Sequence, residues 1–227
     1  MCVPPDSSPT HVEAPGLTLK ASAPITDRAM AADDPDFGPR GDPSCHLPLR
    51  QLEERLRALP AAPRDAGRLA LLVRRRPDKA REAPQRVEVR PETGVPGDAW
   101  GRQQKTDPQA ELTVMQVDVA EMMANGQPLT VFGDNLFLEL DLSTENLPTG
   151  SRVRVGRSML EVTAKPHNGC RKFSARFGQD ALRLVSTPEL RDRNLRGIYM
   201  RVVEAGEVAV GDAVEVLSRP TPVQQRP

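Results

Sequence analysis

The chain has no charge surplus of either sign, few cysteines, no long apolar run and no familiar catalytic signature. Its 227 residues carry 31 basic and 31 acidic side chains. A nucleic-acid footprint or a polybasic membrane patch would therefore need local clustering. The only basic run, Arg74-Arg75-Arg76, directly follows an apolar stretch and reads as a solvated strand end. Cys2, Cys45 and Cys170 are odd in number, far apart and without a Cys-x-x-Cys pair. That pattern suits neither a disulfide framework nor a structural zinc site, and reduced thiols in a cytoplasm are the natural expectation. His11, His46 and His167 are as scattered. No stretch reaches the roughly 20 apolar residues of a membrane helix, and Met1-Cys2-Val3-Pro4-Pro5-Asp6 lacks the basic and apolar regions of a secretory signal. Gly-rich phosphate loops, nucleophile elbows and His-Glu-x-x-His helices are missing too.

What is there fits one domain with a real core. A folded unit of about 150 residues buries roughly 70% of its extended-chain surface and needs no staple. Residues 1–45 are rich in Pro, Ala, Asp, Ser and Gly without apolar period. Such a stretch cannot offset its ordering entropy and predicts a disordered tail. Order is expected from near Leu47, with a helix and linker over residues 46–66. Leu49, Leu52, Leu56 and Leu59 form a helical stripe that Pro60 ends. Arg68–Arg74 predicts a buried strand, and Arg86–Arg90 alternates as a strand with one wet face. Leu112–Met115 predicts a strand. Asp118 with Glu121 suggests a capped helix start, and Asn125-Gly126 a left-handed stop.

Short apolar segments then recur around Phe132, Leu136–Leu138, Val153–Val155, Met159–Val162, Ile198–Val203, Val208–Val210 and Val214–Val216, with turns at Gly150-Ser151 and Gly211-Asp212. One helix is expected near Asp180–Ser186. Closely spaced short strands with turn signals predict a mainly β barrel or sandwich over residues 67–217. A Pro- and Gln-rich tail is expected over 218–227.

The segment Lys165-Pro166-His167-Asn168-Gly169-Cys170-Arg171-Lys172-Phe173 follows a strand and is expected to be a loop, where sites are commonly built. Cys170 has Lys165, His167, Arg171, Lys172 and Arg176 nearby in sequence. A free thiol is only about 3% thiolate at pH 7, and surrounding cations favour the anion. The residues alone leave open whether Cys170 is a nucleophile or an inert core thiol. They equally leave open whether His167 is its base or a loop histidine, and whether Arg171 and Lys172 hold an anion or face water. Asp134-Asn135, after Gly133, either line a pocket or belong to a turn.

The ordered set Gly94–Asp98, Leu112–Met115, Phe132–Leu136, Gly150–Gly156, Leu160–Thr163, Cys170–Phe173, Arg196–Tyr199 and Gly206–Asp212 resembles MOSC domains. These are the C-terminal domains of molybdenum cofactor sulfurases, which also exist as stand-alone proteins. The resemblance implies a β-barrel with a few short helices. It implies that Cys170 is the family's functional cysteine, a persulfide carrier or a ligand to molybdenum held by molybdopterin; His167, from the residues alone, stays the candidate base for it. Arg171, Lys172, Arg176 and Arg196 would hold the cofactor's phosphate, and Asp134 and Asn135 would orient pterin or substrate. A sulfur donor such as a cysteine desulfurase becomes a candidate partner, with no nucleic acid and no membrane. Nothing marks a pyridoxal-phosphate lysine, so pyridoxal phosphate is not carried over. Nor does Ala99–Pro108 carry the histidine-rich run of some stand-alone members.

Overall fold

A computed structural model describes residues 38–220, and the expected tails lie largely outside this range. In chain order the elements are α1 (Leu49–Ala58), β1 (Ala66–Leu72), β2 (Arg74–Arg75), β3 (Arg81–Glu82), β4 (Arg86–Val89), β5 (Leu112–Gln116) and α2 (Val117–Ala124). There follow β6 (Leu136–Leu138), β7 (Arg152–Val155), β8 (Ser158–Val162), α3 (Arg171–Phe177), α4 (Gln179–Val185), β9 (Ile198–Glu204), β10 (Gly206–Ala209) and β11 (Ala213–Ser218).

Seven strands close into a barrel in the order β1-β11-β7-β8-β9-β5-β6, with β6 returning to β1. Neighbours are antiparallel except β5 and β6, which run parallel. Closure removes the unpaired edges that an open sheet would expose. Strict alternation drives β7, where Val153 and Val155 face inward and Arg152 and Arg154 face water. On the wet face, cross-strand charges pair, as Arg201 does with Glu161 at 2.7 Å. Gly67 lies so close to β6 that a Cβ there would meet the Glu139 carbonyl oxygen at 1.8 Å.

The interior is a cluster of leucines and valines with Ile198 and Met200. A second cluster lies outside the barrel, where α1, α2, α3 and α4 pack around Phe132, Phe137, Phe173 and Phe177. Burial of each such side chain contributes about 1.5–3 kcal/mol.

Several expectations need correction. Phe132 belongs to a 3-10 turn, Leu129–Phe132, that Gly133 ends at φ 75°. The cap of α2 is Gln116, not Asp118. Asp118 lies in the first turn and its carboxylate accepts from the Val119 N–H at 2.7 Å. Asn125 does supply the left-handed stop, at φ 46°. The stretch from Gly38 to Cys45, assigned by composition to the tail, is tied to the domain: the Gly41 N–H donates to the Ala175 carbonyl at 3.2 Å and the Asp42 N–H to Gln127 Oε1 at 2.7 Å. Arg171–Phe177 is helical rather than loop. No helix among the described residues is long and apolar enough to cross a membrane.

Candidate functional site

A cleft of about 420 Å³ opens between the β2–β3 hairpin, the turn before β6, α3 and the start of β9. Among the described residues its walls carry Arg75, Arg76, Lys79, Arg81, Arg102, Lys172, Arg176 and Arg196, with one carboxylate, Asp134. Cys170, His167, Phe173, Thr113 and Tyr199 complete the chemistry of the lining.

Cys170 is exposed, free and extended (φ −140°), the residue just before α3. Its carbonyl accepts from the Ser174 N–H at 3.1 Å, which fixes the backbone and leaves the thiol on the cleft. Behind it, Gly169 has no room for a side chain, because a Cβ would meet Leu182 at 2.5 Å.

Asp134 and Arg196 form the buried charge pair of the floor. Arg196 Nη1 donates to both carboxylate oxygens, at 3.1 and 2.9 Å, with Asp134 only 1% exposed. The pair is held by close backbone contact: a Cβ on Gly197 would meet the Val114 carbonyl oxygen at 2.1 Å, so only glycine lets Arg196 sit against β5. The guanidinium also lies 5.2 Å over the Phe173 ring, a favourable cation–π placement.

His167 packs against Tyr199 at a tilt of 37° with ring centroids 4.3 Å apart, and its Nε2 is 3.8 Å from Asp134 Oδ1. Burial, then the nearby charges of Arg196 and Arg75, hold it well below the usual histidine pKa. It is therefore neutral at physiological pH. Its Nδ1 is buried and makes no hydrogen bond.

Arg176 is buried across the cleft, donating from Nε to the Pro39 carbonyl at 3.2 Å and from Nη1 to the Phe132 carbonyl at 2.6 Å. Burial and the like charge of Arg81 lower its pKa to about 10. Arg75 is anchored by Asp98, whose Oδ1 also accepts the Arg75 N–H at 2.7 Å. Burial disfavours the Asp98 anion, yet hydrogen bonds from Arg75 and from the Trp100 N–H hold it below the usual carboxylate range.

Of the residues singled out from sequence, Cys170, His167, Lys172, Arg176, Arg196 and Asp134 meet in this cleft. Arg171 does not: it is exposed at the start of α3 and outside the lining. Asn135 is not a lining residue either. It is fully buried, accepting from the Thr113 N–H at 3.1 Å and donating to the Val73 carbonyl at 3.2 Å, so its side chain laces β5 to the end of β1. Arg75 and Arg76, read as a solvated strand end, line the cleft instead. Arg81, Lys79, Arg102 and Tyr199 are further lining residues that the sequence reading did not select.

The order and spacing of these elements find a match among known families. A family description of the MOSC domain fits residues 107–215, which span β5 to β11 and include Cys170. Residues 107–215 are a MOSC domain. The MOSC family is associated with the molybdenum cofactor. A protein called "Reductase" from Gibberella moniliformis is 30% identical over 95 residues, 40% of this chain and 15% of its own length. The uncharacterized protein YflK of Bacillus subtilis is 32% identical over 88 residues, 39% of this chain and 37% of its own. The chain thus spans well under half the length of either relative. The crystal structure of the YUAD protein from Bacillus subtilis shares the fold, with TM-score 0.51 and 17% identity over 68% of this chain and 97% of that one.

The donors of the cleft, drawn from the matched residues and from the hairpin before them, bear on the cofactor. Among the described residues no group of three or more His, Cys, Asp or Glu could hold a metal ion. These residues form no cage for a bare ion, so a metal held by Cys170 would carry other ligands of its own. Thiolate is a soft ligand suited to such a centre, and guanidinium forks suit phosphate. The residues present fit a phosphate-bearing, metal-carrying ligand.

Proposed function

We propose that this MOSC protein binds a molybdopterin-type cofactor in the cationic cleft and uses Cys170 as a metal ligand or as a persulfide carrier. The observation that supports this reading is an exposed thiol on a cleft whose lining carries eight cations and one carboxylate. Lys172, Arg176 and Arg196 would hold the cofactor's phosphate, with Arg75 added to the set drawn from sequence. Bound there, the cofactor supplies a metal able to exchange oxygen or sulfur and two electrons.

The chain's own residues have separable tasks. Asp134 orients Arg196 and keeps its charge compensated when the cleft is empty of anion. His167, held neutral, adds no further positive charge beside Arg196 and can offer a ring nitrogen to a ligand as a hydrogen-bond partner. In persulfide transfer, Cys170 Sγ attacks the outer sulfur of a donor persulfide. A new S–S bond forms on Cys170, the donor's S–S bond breaks, and the donor leaves as a thiolate with no net oxidation. A cysteine desulfurase is the kind of partner that would present such a persulfide.

The test is metal analysis and cyanolysis of sulfane sulfur on protein purified from a molybdenum-competent host, wild type against Cys170→Ser. The expected result is molybdenum, sulfane sulfur or both in the wild type, with a clear loss in the variant. Neither signal in either sample discards thiol chemistry and leaves a small-anion binding module.

A further inference from the structure

The cleft carries more positive charge than one phosphate monoester can answer. Among the described residues its lining has eight cations and one carboxylate. Two more carboxylates stand just behind: Asp98, paired with Arg75, and Glu82, paired with Arg74 and Arg76. Even with these counted, the cations exceed the anions by five, eight against three. A phosphate monoester brings only about −1.5 to −2.

Much of the excess sits on the short β2–β3 hairpin, built to hold its shape. Arg74 pairs in register with Glu82 and Arg75 with Arg81. The Arg76 N–H donates to the Ala80 carbonyl at 3.0 Å, and the Lys79 N–H to the Arg76 carbonyl at 3.0 Å. Asp78 Oδ1 accepts from the Ala80 N–H at 3.1 Å. Lys79 takes the left-handed conformation, φ 65°, which lysine rarely adopts. Arg76 and Lys79 are both exposed, yet both line the cleft. The left-handed residue closes a three-residue hairpin loop in the usual way, and the ordered turn sets both cations at the cleft mouth.

We propose that the cleft accommodates two oxyanion groups at once, the second gripped by the β2–β3 hairpin through Arg76 and Lys79. The chemistry is shared by two sources: a diphosphate within a single nucleotide-extended ligand, or a separate oxyanionic substrate beside a monophosphate. The proposal deepens the reading of the cleft as an anion site. It does not depend on molybdenum or on Cys170.

Calorimetric titrations of the full chain at constant ionic strength provide the test, with inorganic phosphate, inorganic pyrophosphate, a nucleoside diphosphate and sulfate as probes. Pyrophosphate is expected to bind about tenfold more tightly than phosphate. Lys79→Asn, which suits the left-handed turn while removing the charge, and Arg76→Gln with Lys79→Asn should erase most of that preference and leave phosphate affinity nearly unchanged. Arg157→Gln, on the turn between β7 and β8 and outside the cleft, should leave it intact. Tighter binding of the nucleoside diphosphate than of pyrophosphate would assign the second group to one extended ligand. Sulfate binding to phosphate-saturated protein, lost in the hairpin variants, would assign it to a separate substrate. Equal affinities for phosphate and pyrophosphate with no second sulfate, or a preference indifferent to the hairpin charges, overturns the proposal. A hairpin-dependent preference for pyrophosphate in protein that holds neither molybdenum nor sulfane sulfur would sink the cofactor reading and leave this one standing.

Discussion

Twenty buried residues fill the barrel, every one of them Leu, Val, Ile or Met, whereas the cluster between barrel and helices holds four phenylalanines and three methionines. Phe132, Phe173 and Met115 of that second cluster touch the cleft or its charged floor. The aliphatic region needs only shape and volume. The aromatic region must also bury Arg176, Arg196 and Asp134, and it does so with carbonyl acceptors, a charge pair and ring faces. The comparison separates a region that only stabilises the fold from one that stabilises it and also builds the cleft. It predicts that substitutions in the two regions fail in different ways.

The largest effect is expected at the charged floor. Asp134→Ala leaves Arg196 buried without its counter-charge and should cost about 3–5 kcal/mol in urea unfolding. A loss under about 1 kcal/mol would mean that water already reaches the pair. Leu160→Ala in the barrel should cost about 2–5 kcal/mol, with phosphate affinity of the folded protein unchanged. An altered affinity would erase the separation between the regions.

His167 gives a smaller, pH-dependent effect. Its folded pKa is depressed, so the unfolded chain takes up a proton that the folded chain refuses. Its contribution is whole above the unfolded value of about 6.5 and is lost as the pH falls from there toward the folded pKa. Stability should decline by up to about 1.4 kcal/mol per pH unit from this group. His167→Gln should flatten that slope between pH 6.5 and 5 in urea midpoints, and an unaltered slope would contradict the assignment. The smallest effect belongs to Cys170→Ser. An exposed thiol contributes little packing, so stability should stay within about 0.5 kcal/mol. Cys170 should also be alkylated as readily in native as in denatured protein.

Strands were readable wherever one face is wet, because the alternation in Arg152–Val155 of the barrel, and in Arg86–Val89, which pairs with β10 outside it, is local. The closed strand order was not, since the parallel pairing of β5 with β6 and the pairing of β1 with β11 join residues far apart in sequence. Part of the cleft was legible because His167, Cys170, Lys172 and Arg176 share one segment. Arg75 was misread because its anchor, Asp98, lies 23 residues away, and a charge run without its partner looks like wet surface. Asn135 was misjudged for the converse reason. Its neighbour Asp134 lines the cleft, whereas in the bend before β6 the Asn135 side chain turns to the backbone of Thr113 and Val73.

One consequence of the β1–β11 pairing concerns how such a unit can be carried. Ala66 and Glu215 are partners in the same ladder, so the path into the barrel and the path out lie side by side. A host protein could splice the barrel into a surface loop without prising that loop apart, and the barrel could be recut at another turn with its old ends joined. Geometry of this kind favours a portable cassette.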